Sequence, residues 1–324
     1  MAVKLTRLRS WRINCSFLRK VDIMDYKAPL ETYTGKINEV IIGSGAEAIK
    51  IGGHSLLPLH YFEGAAANRP VVALEVDDIA ASGWSADAAG PFKDVVHDPL
   101  KWAKRCIEMG ADLVCLHLEG ADPQGANKTA AEAAALVKMI DGELHAPLIV
   151  YGCGDDKKDV EVLTAVAEAC RGKNLLLGPA VKENYTDIAR AVAENGHCII
   201  AQTPIDINLE KELNVKLLKQ LPPGKIVIDP LSSALGYGME YSFTIMERSR
   251  QVGVIYGDMA MQMPIIADLG RECWKTNQAR ASAEQGMLWE SITAMTLLLA
   301  GADILVLRHP DNCRLLKEAI EGKL

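Results

Sequence analysis

From Pro70 onward the sequence alternates eight times between a short apolar run rich in β-branched residues and a longer stretch with helical periodicity. Several short runs, such as residues 174–178, are apolar on both faces, as expected for parallel strands covered on both sides. The predicted strands are Val71 to Val76, Asp112 to Leu118, Pro147 to Tyr151, Asn174 to Leu177, His197 to Ala201, Lys225 to Ile228, Pro264 to Ala267 and Asp303 to Leu307. The predicted helices are Pro99 to Met109, Ala126 to Asp141, Lys157 to Arg171, Asn184 to Asn195, Asn208 to Gln220, Met239 to Gln251, Gly286 to Ala300 and Pro310 to Glu321.

This alternation predicts an α/β fold, a (β/α)8 TIM barrel over residues 70–324. An open doubly wound sheet is the alternative. It is disfavoured because neither G-x-G-x-x-G nor G-x-x-x-x-G-K-[ST] occurs in the chain.

Residues 1–69 do not follow the alternation and are predicted to be an N-terminal arm and a hairpin packed on the barrel. The stretch "NEVIIGSGAEAIKIGG" has two apolar runs around Gly43-Ser-Gly45, which predicts a β-hairpin that covers the bottom of the barrel. The segment "HSLLPLHYFEG" has neither helical nor strand periodicity. It is interpreted as a loop folded onto the barrel, with an apolar strip facing a partner as the alternative.

Charge and hydropathy exclude several classes of protein. The formal net charge of -7 argues against nucleic-acid binding, and the one basic cluster, Lys4 to Lys20, is interpreted as an arm or partner contact. The chain has no apolar run near the roughly 18 to 20 residues that a bilayer crossing needs, and no signal-peptide pattern. We therefore expect a cytoplasmic, soluble protein with no membrane or nucleic-acid partner.

The eight cysteines indicate reduced, mostly buried thiols, because no C-x-x-C occurs and the spacing fits neither a zinc site nor an iron-sulfur cluster. No residue is therefore predicted to bind a metal. Cys153 lies between two glycines and could be a nucleophile, but no basic neighbour in the sequence would lower its pKa.

In a barrel the loops after the strands meet on one face, and this face carries the functional site. The polar groups after Leu118, in "EGADPQGAN", are one of several sets that should meet there. Some have structural alternatives: Asn208 stands where a helix N-cap belongs, and Arg308 could pair with a carboxylate of the mouth. Gly236 and Gly238 allow a positive φ or the close approach of a large planar group, against which Tyr237 could lie; the alternative is a flexible loop.

Several segments of the chain resemble the small subunit of the corrinoid iron-sulfur protein, a family related to the delta subunit of the archaeal acetyl-CoA decarbonylase/synthase complex. The resemblance extends from about Val40 to the C-terminus, is most specific over Asp229 to Arg250, and does not include residues 1–35. The segments that carry it are "HYFEG" with "NRPVVALEV", "EGADPQGAN", "VYGCGDDKKD", "NLLLGPA" with "ENY", "IDPLSSALGYGMEYSFTIMERSR" and "LRHPD".

The resemblance implies a (β/α)8 subunit of a heterodimer in the reductive acetyl-CoA pathway. The larger subunit would hold a [4Fe-4S] cluster and most of a cobalamin-type corrinoid. The cobalt would carry a methyl group from a methyltetrahydrofolate methyltransferase to acetyl-CoA synthase, and a reductive activator would be a further partner. The chain has no D-x-H-x-x-G corrinoid motif, which agrees with this division between the subunits. The resemblance also implies that the isolated chain lacks activity and catalytic residues.

On this hypothesis the barrel mouth shields and positions the corrinoid at the subunit interface. The residues predicted to contact it are Asp122, Asn127, Cys153, Gln202, Asn208, Asp229, Gly236, Tyr237, Gly238, Arg308 and His309.

A second hypothesis is an autonomous pterin-binding methyltransferase, also a (β/α)8 barrel. Its pterin would be bound by Asp155, Asp206, Asn208 and Asp229, which could assist protonation of the leaving nitrogen. A sugar-phosphate aldolase or isomerase is disfavoured, because the loops after strands seven and eight lack a glycine-rich phosphate cradle.

Overall fold

A computed structural model describes residues 30–60, 63–64, 67–80 and 83–322 of the chain. The basic cluster Lys4 to Lys20, and Tyr61 and Phe62 of the apolar segment, lie outside the described residues. The elements below all belong to one unit, Thr32–Leu324.

Eight parallel strands form the barrel predicted from the sequence. Strands β3 (Val71–Asp77) to β8 (Ile226–Asp229) follow one another around the ring, β10 (Ile304–Leu307) lies next to β3, and β9 (Ile266–Asp268) lies next to β10. A bridge between Ile228 and Ile265 joins β8 to β9 and closes the ring. The barrel strands are β3 (Val71–Asp77), β4 (Leu113–His117), β5 (Leu148–Tyr151), β6 (Leu176–Ala180), β7 (Cys198–Gln202), β8 (Ile226–Asp229), β9 (Ile266–Asp268) and β10 (Ile304–Leu307).

Helices surround the barrel, and all eight predicted from the sequence are confirmed with shifts at their ends. The shifts follow the caps: Thr129 is the N-cap of α3 (Ala130–Glu143), with a capping box, and Ser282 is the N-cap of α9 (Ala283–Leu299). Two short helices, α1 (Ala86–Ala89) and α8 (Gly270–Lys275), are not predicted from the sequence. The helices are α1 (Ala86–Ala89), α2 (Pro99–Glu108), α3 (Ala130–Glu143), α4 (Asp156–Ala169), α5 (Tyr185–Asn195), α6 (Ile207–Leu217), α7 (Met239–Val254), α8 (Gly270–Lys275), α9 (Ala283–Leu299) and α10 (Pro310–Ile320).

A β-hairpin forms the floor of the barrel, as predicted. Its strands β1 (Val40–Ile42) and β2 (Ile49–Ile51) pair antiparallel. Val40, Ile42 and Ile51 are fully buried in the same cluster as the inward-facing side chains of the barrel strands. A second, larger apolar cluster fills the space between strands and helices. The hairpin therefore completes the inner core from below and leaves the opposite end as the mouth.

A buried arginine holds the bottom of the barrel together. Arg250 in α7 donates to the carbonyl oxygens of Met263 (2.8 Å) and Gly301 (2.7 Å) and to the carboxylate of Asp303. Its guanidinium satisfies carbonyl groups that precede β9 and β10, which would otherwise be buried without a donor. The "MERSR" end of the Asp229 to Arg250 segment thus has a structural role at the end of the barrel opposite the mouth.

Candidate functional site

Polar side chains line the inside of the barrel at the carboxyl ends of its strands. Because successive strand residues point to opposite faces, Glu75 and Asp77 of β3 share the inner face. Six of the eight barrel strands contribute a polar side chain, Arg308 directly follows β10, and β6 supplies Gly178, whose added Cβ would lie 2.5 Å from Ile200. We call this set the polar ring: Glu75, Asp77, His117, Tyr151, Gln202, Asp229, Asp268 and Arg308.

The strongest contact of the polar ring joins Arg308 to Glu75. The guanidinium donates two hydrogen bonds to the carboxylate, Nε to Oε2 at 2.7 Å and Nη2 to Oε1 at 2.8 Å. The indole of Trp84 covers the guanidinium, 4.2 Å from ring centroid to Cζ, and donates from Nε1 to Asp77 at 2.7 Å. Arg308 is itself fixed by Glu290 of α9, which accepts from its backbone nitrogen at 2.6 Å.

A second arginine crosses the mouth above this pair. Arg271 extends from α8 and donates from Nη1 to Glu119, in the loop after β4, at 2.5 Å. Its Nη2 also donates to Glu75 at 3.3 Å and lies 3.7 Å from Asp77. The two guanidinium groups therefore neutralise carboxylates at the ends of the neighbouring strands β3 and β4.

The far side of the polar ring is a chain of hydrogen-bonding groups. His117 lies 3.5 Å from Asp268 and stacks on Tyr151, with 5.0 Å between ring centroids. The Tyr151 hydroxyl donates to Asp229 at 3.0 Å, and Gln202 donates to the same carboxylate oxygen at 2.8 Å. Aromatic and amide groups thus connect two carboxyl groups that stand on neighbouring strands.

Burial shifts most of the titrating groups in the polar ring toward their neutral forms. Burial, assisted by the charge of Glu75, raises the pKa of Asp77 to about 8 and the pKa of Asp268 well above its usual range. Burial lowers the pKa of His117 to about 3. For Glu75, burial acts to raise the pKa, but the Arg308 guanidinium outweighs it and holds the pKa well below its usual range. At neutral pH Glu75 is therefore ionised and His117 uncharged, and the raised pKa values of Asp77 and Asp268 favour their protonated forms.

Glu75, His117 and Asp268 form a group that metal ions could in principle use, with ligand atoms within 4.8 Å of one another. The two arginines that pair with Glu75 disfavour a cation there, because their charges would repel it and they already occupy the carboxylate. In the part of the chain that the structure describes, no group of three or more His, Cys, Asp or Glu side chains spaced for a single metal ion contains a cysteine.

Three hollows follow one another along the rim of the mouth. The first, of about 370 Å³, and the second, of about 360 Å³, share Gln202 and Leu231. The second also reaches down to Asp268 and shares Ser233 with the third, of about 130 Å³, which contains Tyr237. We call residues 230–238, which border all three, the rim loop.

The rim loop exposes large side chains above the polar ring. Leu231 is 40% and Tyr237 50% exposed, and the Tyr237 hydroxyl donates to Gln278 at 2.9 Å. Gly236 and Gly238 have φ values of 76° and 105°, in the region that favours glycine. Both glycines thus adopt the positive φ that the sequence allows, and Tyr237 between them is half exposed to solvent.

The structure brings together only some of the predicted contact residues. Gln202, Asp229 and Arg308 belong to the polar ring, and the rim loop carries Gly236, Tyr237 and Gly238. His309 is the N-cap of α10, and its ring stacks on Trp274 with 6.0 Å between centroids.

The remaining predicted residues, Asp122, Asn127, Cys153 and Asn208, lie outside the polar ring and the rim loop. Asp122 accepts from the backbone nitrogen of Gln124 at 2.8 Å, and Asn127 accepts from Lys158 at 2.9 Å. Burial raises the pKa of Cys153 to about 12, which disfavours a nucleophilic thiolate.

The N-cap expected at Asn208 is wrong. Asp206 caps α6, because its carboxylate accepts from the backbone nitrogens of Asn208 and Leu209. Asn208 itself is exposed on the first turn of the helix.

The loop "EGADPQGAN" connects neighbouring strands as well as facing the mouth. The backbone nitrogen of Gly120 donates to Asp78 at 2.6 Å, and Lys128 donates to the same carboxylate at 2.9 Å. A Cβ at Gly120 would lie 2.7 Å from Asp78, so the glycine is required by this contact. Glu119 at the start of the loop is the partner of Arg271 across the mouth.

Sequence reasoning missed Glu75, Arg271 and Glu290. Glu75 and Glu290 are single charged residues inside apolar segments, and this signal could have identified them as buried partners of a cation. Arg271 was missed because "LGREC" was interpreted as a loop without a phosphate cradle, whereas it is the start of α8.

The fold defines a class shared with known enzymes. The structure superposes on a dihydropteroate synthase from Xanthomonas albilineans with a TM-score of 0.56 at 16% identity, covering 80% of this chain and 95% of that one. The Yersinia pestis dihydropteroate synthase gives a TM-score of 0.56 at 14% identity, with coverages of 80% and 96%. At these identities the likeness concerns the fold alone, and it places the chain among the TIM-barrel proteins.

Sequence comparison identifies the family within that class. The profile of the CO dehydrogenase/acetyl-CoA synthase delta subunit matches residues 39–319, and the chain belongs to this family. It is 35% identical to the delta subunit of the acetyl-CoA decarbonylase/synthase complex of Methanothermobacter thermautotrophicus, over 91% of this chain and 77% of that protein. The delta subunit of Methanocaldococcus jannaschii is 34% identical over 93% and 77%. The resemblance inferred from the sequence segments is thus confirmed.

Proposed function

We propose that this chain is the small subunit of a heterodimeric corrinoid iron-sulfur protein. In this role its barrel mouth covers a corrinoid held mainly by the larger subunit. The cobalt of that corrinoid supplies the methyl-carrying chemistry, between a methyltetrahydrofolate methyltransferase and acetyl-CoA synthase. The family membership and the names of its relatives support a role as one subunit of an acetyl-CoA-forming or acetyl-CoA-cleaving complex.

The observation that carries the proposal is the row of three adjoining hollows along the rim loop. Each is open and too small for a macrocycle, but together they form a broad, shallow surface with Leu231 and Tyr237 exposed on it. A flat ring with amide side chains fits such a surface, because its face can pack on apolar groups while its amides reach Gln202 and the rim-loop backbone.

The polar ring beneath the rim supports a shielding role. Arg308 and Arg271 neutralise carboxylates, and burial keeps His117 uncharged at neutral pH and favours the protonated forms of Asp77 and Asp268. A neutral, tightly bonded floor would exclude water from a reactive cofactor without binding it strongly. Reversible contact is needed because the cofactor must leave the mouth to meet each methyl donor and acceptor.

The first test is to co-express the full chain with the larger subunit of its complex and record the visible spectrum of the purified proteins. We expect a corrinoid spectrum in the heterodimer and none in the chain alone. A heterodimer whose corrinoid has the same spectrum and oxidation rate as in the larger subunit alone would contradict the proposal.

A second test uses Tyr237. Replacing Tyr237 with Ala should slow methyl transfer in the heterodimer by about two- to tenfold, the effect of losing one aromatic contact. Tyr237→Phe keeps the ring and loses only the bond to Gln278, so it should behave as wild type. Tyr256→Ala, at an exposed tyrosine beyond the other end of α7, is the matched control. Equal methyl-transfer rates in the wild type and all three variants would show that Tyr237 does not contact the corrinoid.

A pterin-binding methyltransferase is the second candidate, favoured by the fold shared with dihydropteroate synthases, one of which was crystallised with a pterine-sulfa conjugate. Asp229 and Gln202 at the base of the second hollow are the groups that would bind a pterin edge. Calorimetric titration of the isolated chain with methyltetrahydrofolate distinguishes the two candidates. Saturable binding that Asp229→Asn abolishes would favour the enzyme, and no heat of binding would favour the carrier subunit.

A further inference from the structure

The outer face of α9 exposes an apolar stripe that the barrel does not use. Leu288, Ile292 and Leu299 are 45%, 38% and 36% exposed, and Met295 between them is partly buried. Among the helices that the structure describes, no other carries more than one exposed large apolar side chain. Isolated exposed apolar residues are common, but three on one helix face indicate an interface.

The spacing of this stripe is that of a helix-packing seam. Residues 288, 292, 295 and 299 follow one another at intervals of four, three and four, which keeps them on one side of the helix. The opposite side of α9 packs on the barrel through buried residues that include Thr293, Ala294 and Leu297. Because both sides are apolar, α9 has the composition of a helix that is covered all round.

The exposed face also lacks charge. The charged residues of α9 are Glu284, in its first turn, and Glu290, which is fully buried and accepts from Trp274 and Asn312. Depletion of charge is the feature that separates the centre of a protein interface from ordinary surface. A partner surface that matches this face is therefore apolar rather than charged.

We propose that the outer face of α9, defined by Leu288, Ile292, Met295 and Leu299, docks an apolar helix face of another subunit of the complex. The 4-3-4 spacing indicates the partner element, since side chains at these intervals fit between those of a facing helix. The partner is a different subunit because the chain belongs to a family whose relatives are subunits of a larger assembly. The inference rests on the proposed function only for the identity of this partner, the larger corrinoid-bearing subunit.

The position of α9 connects this docking surface with the mouth. From Leu288 to Leu299 the face is about 16 Å long. A stable interface buries roughly 800 Å² on each partner, which is more surface than one helix face of this length provides. Neighbouring surface must therefore take part. Trp289, next to Leu288, donates from Nε1 to the carbonyl oxygen of Leu235 in the rim loop at 2.9 Å. A subunit bound to α9 would thus extend directly onto the rim loop.

The test compares one substitution on α9 with a matched one elsewhere. Ile292→Asp places an unpaired charge at the centre of the proposed interface and should weaken binding of the larger subunit at least about a hundredfold. Val215→Asp makes the same kind of change at a similarly exposed site, 41% exposed on α6, and should leave binding unchanged. Ile292→Leu should also bind normally. Binding is measured by titration of purified full-length subunits, and circular dichroism of each free variant checks its fold.

Each result decides a separate point. Unchanged binding by Ile292→Asp, or no binding by the wild-type chain, would overturn the proposal. A wild-type chain that forms its own dimer, which Ile292→Asp converts to monomer, would assign the face to a second copy and overturn it as well. A heterodimer that depends on Ile292 but contains no corrinoid would leave the docking surface in place and defeat the proposed function.

Discussion

At the scale of single residues, the mouth depends on the pair formed by Glu75 and Arg308. Both side chains are buried, and 233 positions separate them in the chain. A buried ion pair adds little net stability compared with apolar residues of the same shape, but removing one partner leaves a buried charge unpaired. The pair therefore fixes the shape of the mouth more than it stabilises the fold.

We expect Arg308→Met to lower the free energy of unfolding by about 3 to 5 kcal/mol, because Glu75 loses its two strongest hydrogen bonds. The double variant Glu75→Leu/Arg308→Met should recover most of this loss. Arg314→Met, which breaks an exposed ion pair with Glu318, should change stability by less than about 0.5 kcal/mol. Urea unfolding of the four proteins measures this, and a double variant no better than the single one would contradict the argument.

A second residue, Glu210, makes stability depend on pH. It is buried between α6 and α7, where Ser249 donates to it at 2.9 Å, and burial raises its pKa from 4.5 to about 7. Between pH 4.5 and pH 7, Glu210 keeps its proton in the folded protein but releases it in the unfolded chain. The free energy of unfolding therefore falls as the pH rises through this range. The expected fall is about 3 kcal/mol, and it is constant above pH 7.

The measurement is the free energy of unfolding between pH 5 and pH 7. Glu210→Gln should remove this part of the pH dependence, whereas Glu212→Gln, an exposed residue on the same helix, should retain it. Equal slopes for Glu210→Gln and wild type would show that the carboxyl group is ionised in the folded protein throughout.

The residue scale is also where sequence reasoning was weakest. Gln202 and Asp229 could be placed at the mouth because they end strands, but their hydrogen bond could not be predicted. Glu75 was passed over because its neighbours in "VVALEVD" are apolar, and its partner lies at the other end of the chain. Contacts between distant residues depend on the closed ring, which local patterns do not encode.

At the scale of secondary structure, the eight strands and eight main helices could be predicted because each repeats a strong apolar pattern. Helices α1 and α8 are four and six residues long, too short to show helical periodicity. Helix α8 matters for function all the same, because it carries Arg271 across the mouth.

The packing of α8 on α9 depends on a glycine inside a helix. A Cβ at Gly286 would lie 2.1 Å from the ring of Trp274. Alanine normally favours a helix over glycine by about 1 kcal/mol, yet here we expect Gly286→Ala to destabilise the protein by about 1 to 3 kcal/mol through overpacking. Gly142→Ala in α3, where a Cβ meets no atom within 4 Å, should instead be stabilising. Thermal unfolding of both variants decides this, and effects of the same sign would refute it.

At the scale of the whole molecule, the hairpin and barrel share one inner core. Ile42 of β1 is fully buried among side chains from the barrel strands. We expect Ile42→Ala to cost about 2 to 5 kcal/mol, as much as Ile266→Ala within the barrel itself. Chemical denaturation should also show one cooperative transition in each variant. A cost below about 1 kcal/mol for Ile42→Ala would mean that the hairpin is an independent cover.

None of the helices described in the structure combines the length and apolarity needed to cross a bilayer.

The way in which the ring closes affects how the mouth can open for a ligand. Neighbouring strands β3 and β4 are joined at five paired positions, whereas β8 and β9 meet at the bridge between Ile228 and Ile265, with one hydrogen bond from Ile228 to Pro264 of 2.9 Å. The second hollow opens just above this β8–β9 junction, with Asp229 and Asp268 on its two sides. Transient separation of β8 from β9 would widen the entrance to this hollow without disturbing the other strands. Backbone amides at the junction should therefore exchange with deuterium sooner than those of β3 and β4.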